Sequence, residues 1–414
     1  MSSLPLQFAP SPADSACTTV TRNCGSPRLL RPFDISAQKS MVLKRLQRNA
    51  PGIANVQTGI VLGRASPMRA KTLKELATRL DISITTVSRA LAGHEQIALK
   101  TRQRVAEAAL AYGYVPNTAA RTLVSGRSGF VGLVLPIRGP NLVDSFLGEF
   151  VTGLGEGLVS RGSDLILATA AEGQSELSVL RHVVESGRAD GVVITRIAEI
   201  DERLAYLSKR GFPFVAHGRL LDETTSYNWL DTDGAYAFGE AFEMLYSLGH
   251  RHFGLVTISE SMTFRHLRQD GLAQAIARRG DRSVKLDIAT APRFDRGARV
   301  EATNRMLHSA ARPTAIIGLF DELALTVMEE AARAGLSIPR DLSVIGFDNV
   351  VASAYAPPGL TTFDASIRQA AREIAEMLIQ VIEQRPATPL TRLLRPALVA
   401  RASHGPAPQV QSQS

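Results

Sequence analysis

Cysteine is nearly absent: Cys17 and Cys24 are the only two in 414 residues. A disulfide scaffold is therefore excluded, and two thiols seven apart with no histidine beside them make a poor zinc pair. A chain without thiols beyond Cys24 fits a reducing cytoplasm. Long apolar runs are also missing. The longest, such as Phe130–Leu135 and Thr314–Phe320, fall well short of the roughly 20 residues a membrane-spanning helix requires, so no membrane association is expected. The first residues lack a basic start, an apolar stretch and a small-residue cleavage site, which argues against export. Catalytic signatures are absent as well. There is no GxxxxGK[ST] phosphate loop, no HExxH helix and no GxSxG elbow. Gly153-Leu-Gly155-Glu-Gly157 falls inside a helix-like stretch rather than between a strand and a helix, so it is no dinucleotide fingerprint. The eight histidines show no metal-ligand spacing. An enzyme, a metal site and a cofactor are not expected.

What is present is a chain long enough for two or three domains, 45% hydrophobic and 21% charged. Its net charge of +8 is segregated, with +6 in residues 1–68, +6 in 69–127 and −4 in the remainder. A basic head on a mildly acidic body suits a polyanion-binding module joined to something else. Charge alone would equally suit a membrane surface. Residues 1–68 are rich in Ser, Pro, Arg and Ala with little hydrophobic period, and read as a disordered tail. Met41 and Met68 lie in it or end it, so we expect the true start codon downstream of Met1. The functional alternative is a basic arm that adds nonspecific DNA affinity.

Hydrophobic spacing predicts three short helices in 71–113. Thr72 caps Leu73–Leu80, Ser83 caps Ile84–Leu91, and a longer helix runs from about Leu99 to Tyr112. Beyond Gly129, β-like runs alternate with amphipathic stretches: Phe130–Leu135, Leu165–Thr169, Gly191–Thr195 and Phe214–His217, then Phe253–Ile258, Val284–Ile288, Ala315–Leu319 and Ser343–Phe347. Two successive series of this kind predict two parallel α/β lobes.

In the head, Ala77 is small enough for two helices to cross closely. Asp81 sits where the turn favours positive φ. The helix capped by Ser83 offers Ile84, Thr85 and Thr86 in its first turn and Arg89 one turn on, which suits a helix lying in a major groove. Arg89 can bond guanine bidentately, and Ser88 or the helix N-terminus can hold phosphate. Ser83-Ile-Thr-Thr-Val-Ser-Arg-Ala-Leu91, Thr101-Arg-Gln-Arg-Val105 and Gly113-Tyr-Val-Pro-Asn117 together resemble the head of the lactose/galactose-repressor (LacI/GalR) family. The resemblance implies that Ile84 and Thr85 read the operator with Arg89, while Thr72, Ser83, Thr86 and Ser88 lie near the backbone. Two positions depart from the pattern: Asp81 replaces a turn glycine, and Ala98 replaces a capping serine, a loss of about 1 kcal/mol. Asn117-Thr-Ala-Ala-Arg-Thr-Leu123 resembles the family's hinge helix, with Asn117 as cap, Ala120 on one face and Leu123 as the wedge that enters the minor groove. An ordinary linker is the alternative.

The organisation expected is a tail (1–68), a small all-α helix-turn-helix head (69–115), a hinge (116–127), a core (128–402) and a second disordered tail (403–414). The core resembles the family's periplasmic-binding-protein-like pair of doubly wound parallel-sheet lobes, with crossovers expected near Leu230, Asn349 and Arg385. In such sheets ligands sit beyond the carboxyl ends of the strands. The resemblance then implies Arg268 and Asp321 as effector-binding residues, with Ser145 and Phe146 on the pocket loop. Trp229, Phe320 and Phe347 are candidate stacking faces, and His217, Arg219 and Asp348 further cleft candidates. Arg268 would otherwise be a surface ion-pair partner, and Asp321 a helix cap. The implied function is a homodimeric regulator, most simply a repressor, that binds a near-palindromic DNA operator and is switched by a small sugar. A sugar-binding protein with a non-functional head is the alternative.

Overall fold

The computed structural model describes residues 72–91, 93–114, 126–136, 144–171, 173–222 and 224–409. The expected tail 1–68 and the hinge residues Asn117, Ala120 and Leu123 lie outside this set. The head contains α1 (Leu73–Leu80), α2 (Ile84–Leu91) and α3 (Leu99–Ala111). Thr72 caps α1 through a 3.1 Å bond from the Glu75 N–H, and the Ser83 hydroxyl accepts the Thr86 N–H at 3.0 Å. Asp81 adopts the left-handed conformation, φ 53°, as the turn demands. Ala98 makes no side-chain cap. Arg104 on α3 instead donates to the free Leu80 carbonyl at the end of α1, tying the two helices. Leu76, Val87 and Val105, one from each helix, are fully buried and form the centre of the head.

The core holds two six-stranded sheets. The first runs β11-β5-β4-β3-β1-β2, from β1 (Phe130–Pro136), β2 (Asp164–Ala170), β3 (Gly191–Thr195), β4 (Phe214–His217), β5 (Trp229–Thr232) and β11 (Thr391–Leu394). The second runs β12-β10-β9-β8-β6-β7, from β6 (His252–Ile258), β7 (Lys285–Ala291), β8 (Ala315–Gly318), β9 (Ser343–Phe347), β10 (Thr361–Asp364) and β12 (Ala397–Val399). All pairings are parallel except β10 with β12. Central strands such as β3 and β9 are buried along their whole length, as a parallel sheet covered on both faces requires. The edge strands β2 and β7 alternate instead. Helices α4 (Ser145–Val159), α5 (Glu176–Glu185), α6 (Glu202–Arg210), α7 (Gly234–Ser247), α8 (Thr263–Arg279), α9 (Arg296–Leu307), α10 (Asp321–Arg333), α11 (Val351–Tyr355) and α12 (Ile367–Gln384) complete it.

The chain crosses between lobes three times, but two crossings differ from expectation. The first follows β5, close to Leu230. The second comes after β10, near Ser366 rather than Asn349, and the third lies between β11 and β12, past Leu394 rather than at Arg385. The cause is four short strands (β5, β10, β11, β12) of three or four residues, too short for a period to declare them. The tail expected from 403 also begins later. Ser403 is fully buried and bonded to Val344 and Thr361, and the Ala407 N–H reaches Leu248.

Helix α12 returns to the first lobe and packs against α4 at backbone distance. A Cβ at Gly153 would collide with the Arg368 backbone carbonyl, whereas one at Gly155 would meet nothing within 4 Å. Gly153→Ala should therefore cost about 2 kcal/mol through overpacking, while Gly155→Ala should gain about 0.5–1 kcal/mol of helix propensity. Thermal unfolding of the two variants checks the opposite signs, and equal effects would contradict the close crossing.

Candidate DNA interface and ligand cleft

In the head, Val87 and Ala90 turn α2 into the core, which leaves Ile84, Thr85, Ser88 and Arg89 exposed along one stripe. Ile84 is 45% exposed, an unusual cost for an aliphatic side chain unless another surface covers it. Thr72, Ser83 and Thr86 are less free. Their hydroxyls are engaged in capping or, for Thr86, in a 2.8 Å bond to Ser83. The interface thus has four outward side chains and two that stiffen the helix start.

Between the lobes, the carboxyl ends of β4, β5, β8 and β9 converge with α8 on a cavity of about 710 Å³, its mouth included. Arg268 projects into it from α8. Its guanidinium donates to the Leu319 carbonyl at 2.5 Å, lies 3.8 Å from the Phe347 ring centroid, and stands 3.8 Å from the Asp348 carboxylate. Gly234 makes room for it: a Cβ there would meet the Arg268 Cγ at 2.7 Å. Phe146 stacks on Phe150 and sits 5.5 Å from His217. Across the lobes, Asp144 at the start of α4 binds Arg196, which follows β3, and also Arg293, which follows β7, the latter at 2.9 Å. Ala198 and Met262 form a further bridge between the lobes.

Burial dominates the electrostatics. It raises Asp348 to about 7 and Asp231 to about 6, against the pull of Arg268 on both. Burial and the neighbouring Arg268 charge lower His217 to about 4. Burial also lowers Arg196 and Arg268. At Asp144 burial works upward but is outweighed by Arg196 and Arg293, and the carboxyl stays below its ordinary value. Two buried polar atoms on the cavity wall, Thr232 Oγ1 and Arg196 Nε, have no hydrogen-bond partner. Arg196 (φ 55°) and Asp348 (φ 111°) both hold positive φ, the kind of local strain that collects at binding sites.

Of the candidates read from sequence, Phe146, His217, Arg268, Phe320, Phe347 and Asp348 line this cavity. Four do not. Asp321 is fully buried beside it, its carboxylate accepting from the Val350 N–H and from the Ser353 and Thr362 hydroxyls at 2.5–2.8 Å. It caps no helix and faces no ligand space, because the loop after β9 takes both its oxygens. Ser145 opens instead on a groove with Asn349 and Arg368. Trp229 packs half-buried against the apolar cluster of the first lobe, and Arg219 pairs with Asp231 at 3.4 Å. The stacking faces are also partly taken, Phe347 by Arg268 and Phe320 by Arg293 at 4.7 Å. Arg196, Asp231, Thr232, Phe264 and Arg293 were not anticipated. Arg196 and Arg293 follow strand ends directly, the same positional signal that pointed to Asp321.

Comparison with known proteins agrees with this arrangement. Residues 72–117 match the family described as bacterial regulatory proteins, lacI family, and residues 242–404 match a periplasmic binding protein-like domain. The HTH-type transcriptional regulator AglR of Rhizobium meliloti (strain 1021) is 37% identical over 344 residues, 81% of this chain and 95% of that protein. The chain belongs to the LacI family of bacterial regulatory proteins. Among solved structures, the transcriptional regulator CelR in complex with cellobiose aligns with a TM-score of 0.60 at 25% identity, covering 81% of this chain and all of that one. The lac repressor dimer bound to operator and the anti-inducer ONPF shares the fold, with a TM-score of 0.69 at 22% identity over 80% of this chain and 98% of that one. This LacI-family chain is thus a DNA-binding transcriptional regulator, and the named relatives are regulators rather than enzymes. Among the described residues, no helix is long and apolar enough to cross a membrane, and no His/Cys/Asp/Glu group could hold a metal.

Asp321→Ala would leave three buried donors without an acceptor and should cost about 3 kcal/mol. Thermal unfolding measures this; full stability with lost ligand binding would return Asp321 to a direct ligand role. Asp348 makes stability pH-dependent. Its folded-state pKa is raised, so its contribution is complete below the ordinary carboxyl value and lost as pH rises towards 7. Asp348→Asn should therefore raise the melting temperature relative to wild type by a few degrees more at pH 8 than at pH 4. A difference independent of pH would refute the buried, proton-holding carboxyl.

Proposed function

We propose that the protein binds a near-palindromic operator as a homodimer in the cytoplasm, acts there as a repressor, and is switched by a small carbohydrate held in the interlobe cleft. Ile84, Thr85 and Arg89 read base edges in this scheme. Ser88 and the groups at the start of α2, Ser83 and Thr86, meet the phosphate backbone with Thr72. Asn117, Ala120 and Leu123 form the hinge that the core loosens or tightens. Phe146, Arg268, Phe320 and Phe347 hold the effector with Arg196, Asp231, Thr232 and Asp348, while Asp321 braces the loop that carries Asp348.

The observation that carries the effector reading is the chemistry of the cleft wall. Buried donors and acceptors, two of them unpaired, alternate with phenyl rings. A polyhydroxylated ring offers hydroxyls to the first and C–H faces to the second. CelR, whose solved complex contains cellobiose, supports a saccharide in a fold of this kind.

Two measurements test the reading. Wild type should prefer selected duplexes over random sequence in salt-controlled binding assays, and Arg89→Ala should remove most of that preference while nonspecific binding persists. No preference by wild type would leave only the sugar-binding alternative. In calorimetry, Thr232→Val should weaken saccharide binding about 3- to 10-fold, the worth of one hydrogen bond, without lowering stability. Unchanged affinity would remove Thr232 from the site.

A further inference from the structure

The cleft is divided. Beyond the main cavity lies a second chamber of about 520 Å³, formed where the ends of β1, β3 and β6 approach the segment after β7. Arg196, Phe264 and Arg293 line both spaces. They form the partition, and Asp144 spans it by binding both guanidiniums. Each chamber has its own apolar face and its own polar wall. The first has Phe146 with Asp231, Thr232 and Asp348. The second has Phe294, 39% exposed, with the carboxylates of Glu176 and Glu260. Arg293 lies 5.7 Å from the Phe294 ring, so the two walls are continuous.

We propose that the effector is a saccharide of at least two linked rings, one in each chamber, with the link passing the Arg196–Asp144–Arg293 bridge. This rests on the carbohydrate reading above and sharpens it. A ligand confined to the main cavity would leave the second chamber's apolar and acidic walls facing only water. A second ring covers Phe294 and supplies hydroxyls to Glu176 and Glu260. It also offers Arg196 Nε, which is buried without a partner in the shared wall, an oxygen from the link or from either ring. The bridge makes this selection stereochemical: it holds one direction of approach between the chambers and so favours some linkages over others.

The test is calorimetric titration of the full-length protein with glucose, galactose, and a panel of α- and β-linked glucosyl and galactosyl disaccharides. At least one disaccharide should bind 100-fold tighter than either of its component sugars. Phe294→Ala should weaken that disaccharide about 3- to 10-fold, in line with one lost aromatic contact, and leave monosaccharide affinity unchanged. Phe294 is partly exposed, so the variant is expected to fold, which its unfolding temperature verifies. Monosaccharides binding as tightly as every disaccharide, or equal losses for both ligands in Phe294→Ala, would overturn the two-ring proposal and leave the carbohydrate reading intact. No binding by any saccharide would overturn both.

Discussion

A guanidinium that cannot shed its proton is held in the middle of the cleft, and the surrounding core is arranged to tolerate it. Burying an unpaired charge costs several kcal/mol, so Arg268 requires neighbours on every side. The Leu319 carbonyl at the end of β8 accepts from it, the Phe347 ring lies against its flat face, and Asp348 and Asp231 supply negative potential. Those partners come from β8, β9 and β5. Both sheets are thereby obliged to end at one point, and Gly234 keeps the first crossing slim enough to pass it. The raised carboxyls are the other side of the same constraint, since there is not enough solvent in the cleft to keep both fully ionised.

The lobes meet again at Asp144, whose carboxylate joins an arginine of each lobe, and at the Ala198–Met262 bridge. These contacts are small and polar, and a ligand that competes for them would change the angle between lobes. The chain enters the core through Ser128 and Gly129, both clamped by the Asp190 carboxylate at 2.6–3.0 Å. Whatever the first lobe does is therefore passed to the segment that precedes residue 128 in the chain. A two-state element of this sort is the physical basis on which ligand and DNA can influence each other.

Much of this was legible in the sequence, for specific reasons. The head is built from local rules: Thr72 and Ser83 each cap the helix that starts at the next residue, Asp81 turns the chain, and Leu76, Val87 and Val105 recur at helical spacing. The long buried strands show as apolar runs. The edge elements did not show, because β10, β11 and β12 are too short to display a period, and two crossings were misplaced as a result. Candidate site residues divided along the same line. Arg268, Phe347 and Asp348 were recognisable from position, whereas Asp321, identical in its placement after a strand, proved to be a buried brace.

What the sequence by itself determined is the existence and order of the elements, the reading face of α2 and the family's two-lobed plan, since all of these depend on neighbours within a few residues. Only the tertiary structure decided which polar groups share the cleft. Asp144, Arg196 and Arg293 are separated by up to 149 residues, and no local pattern records their meeting. Whether an aspartate after a strand faces a ligand or a loop depends on side-chain direction and on the space around it, such as the absent Cβ of Gly346, where a methyl would collide with the Asp321 carboxylate. Those are properties of packing, and packing exists only once the two sheets have closed around the same point.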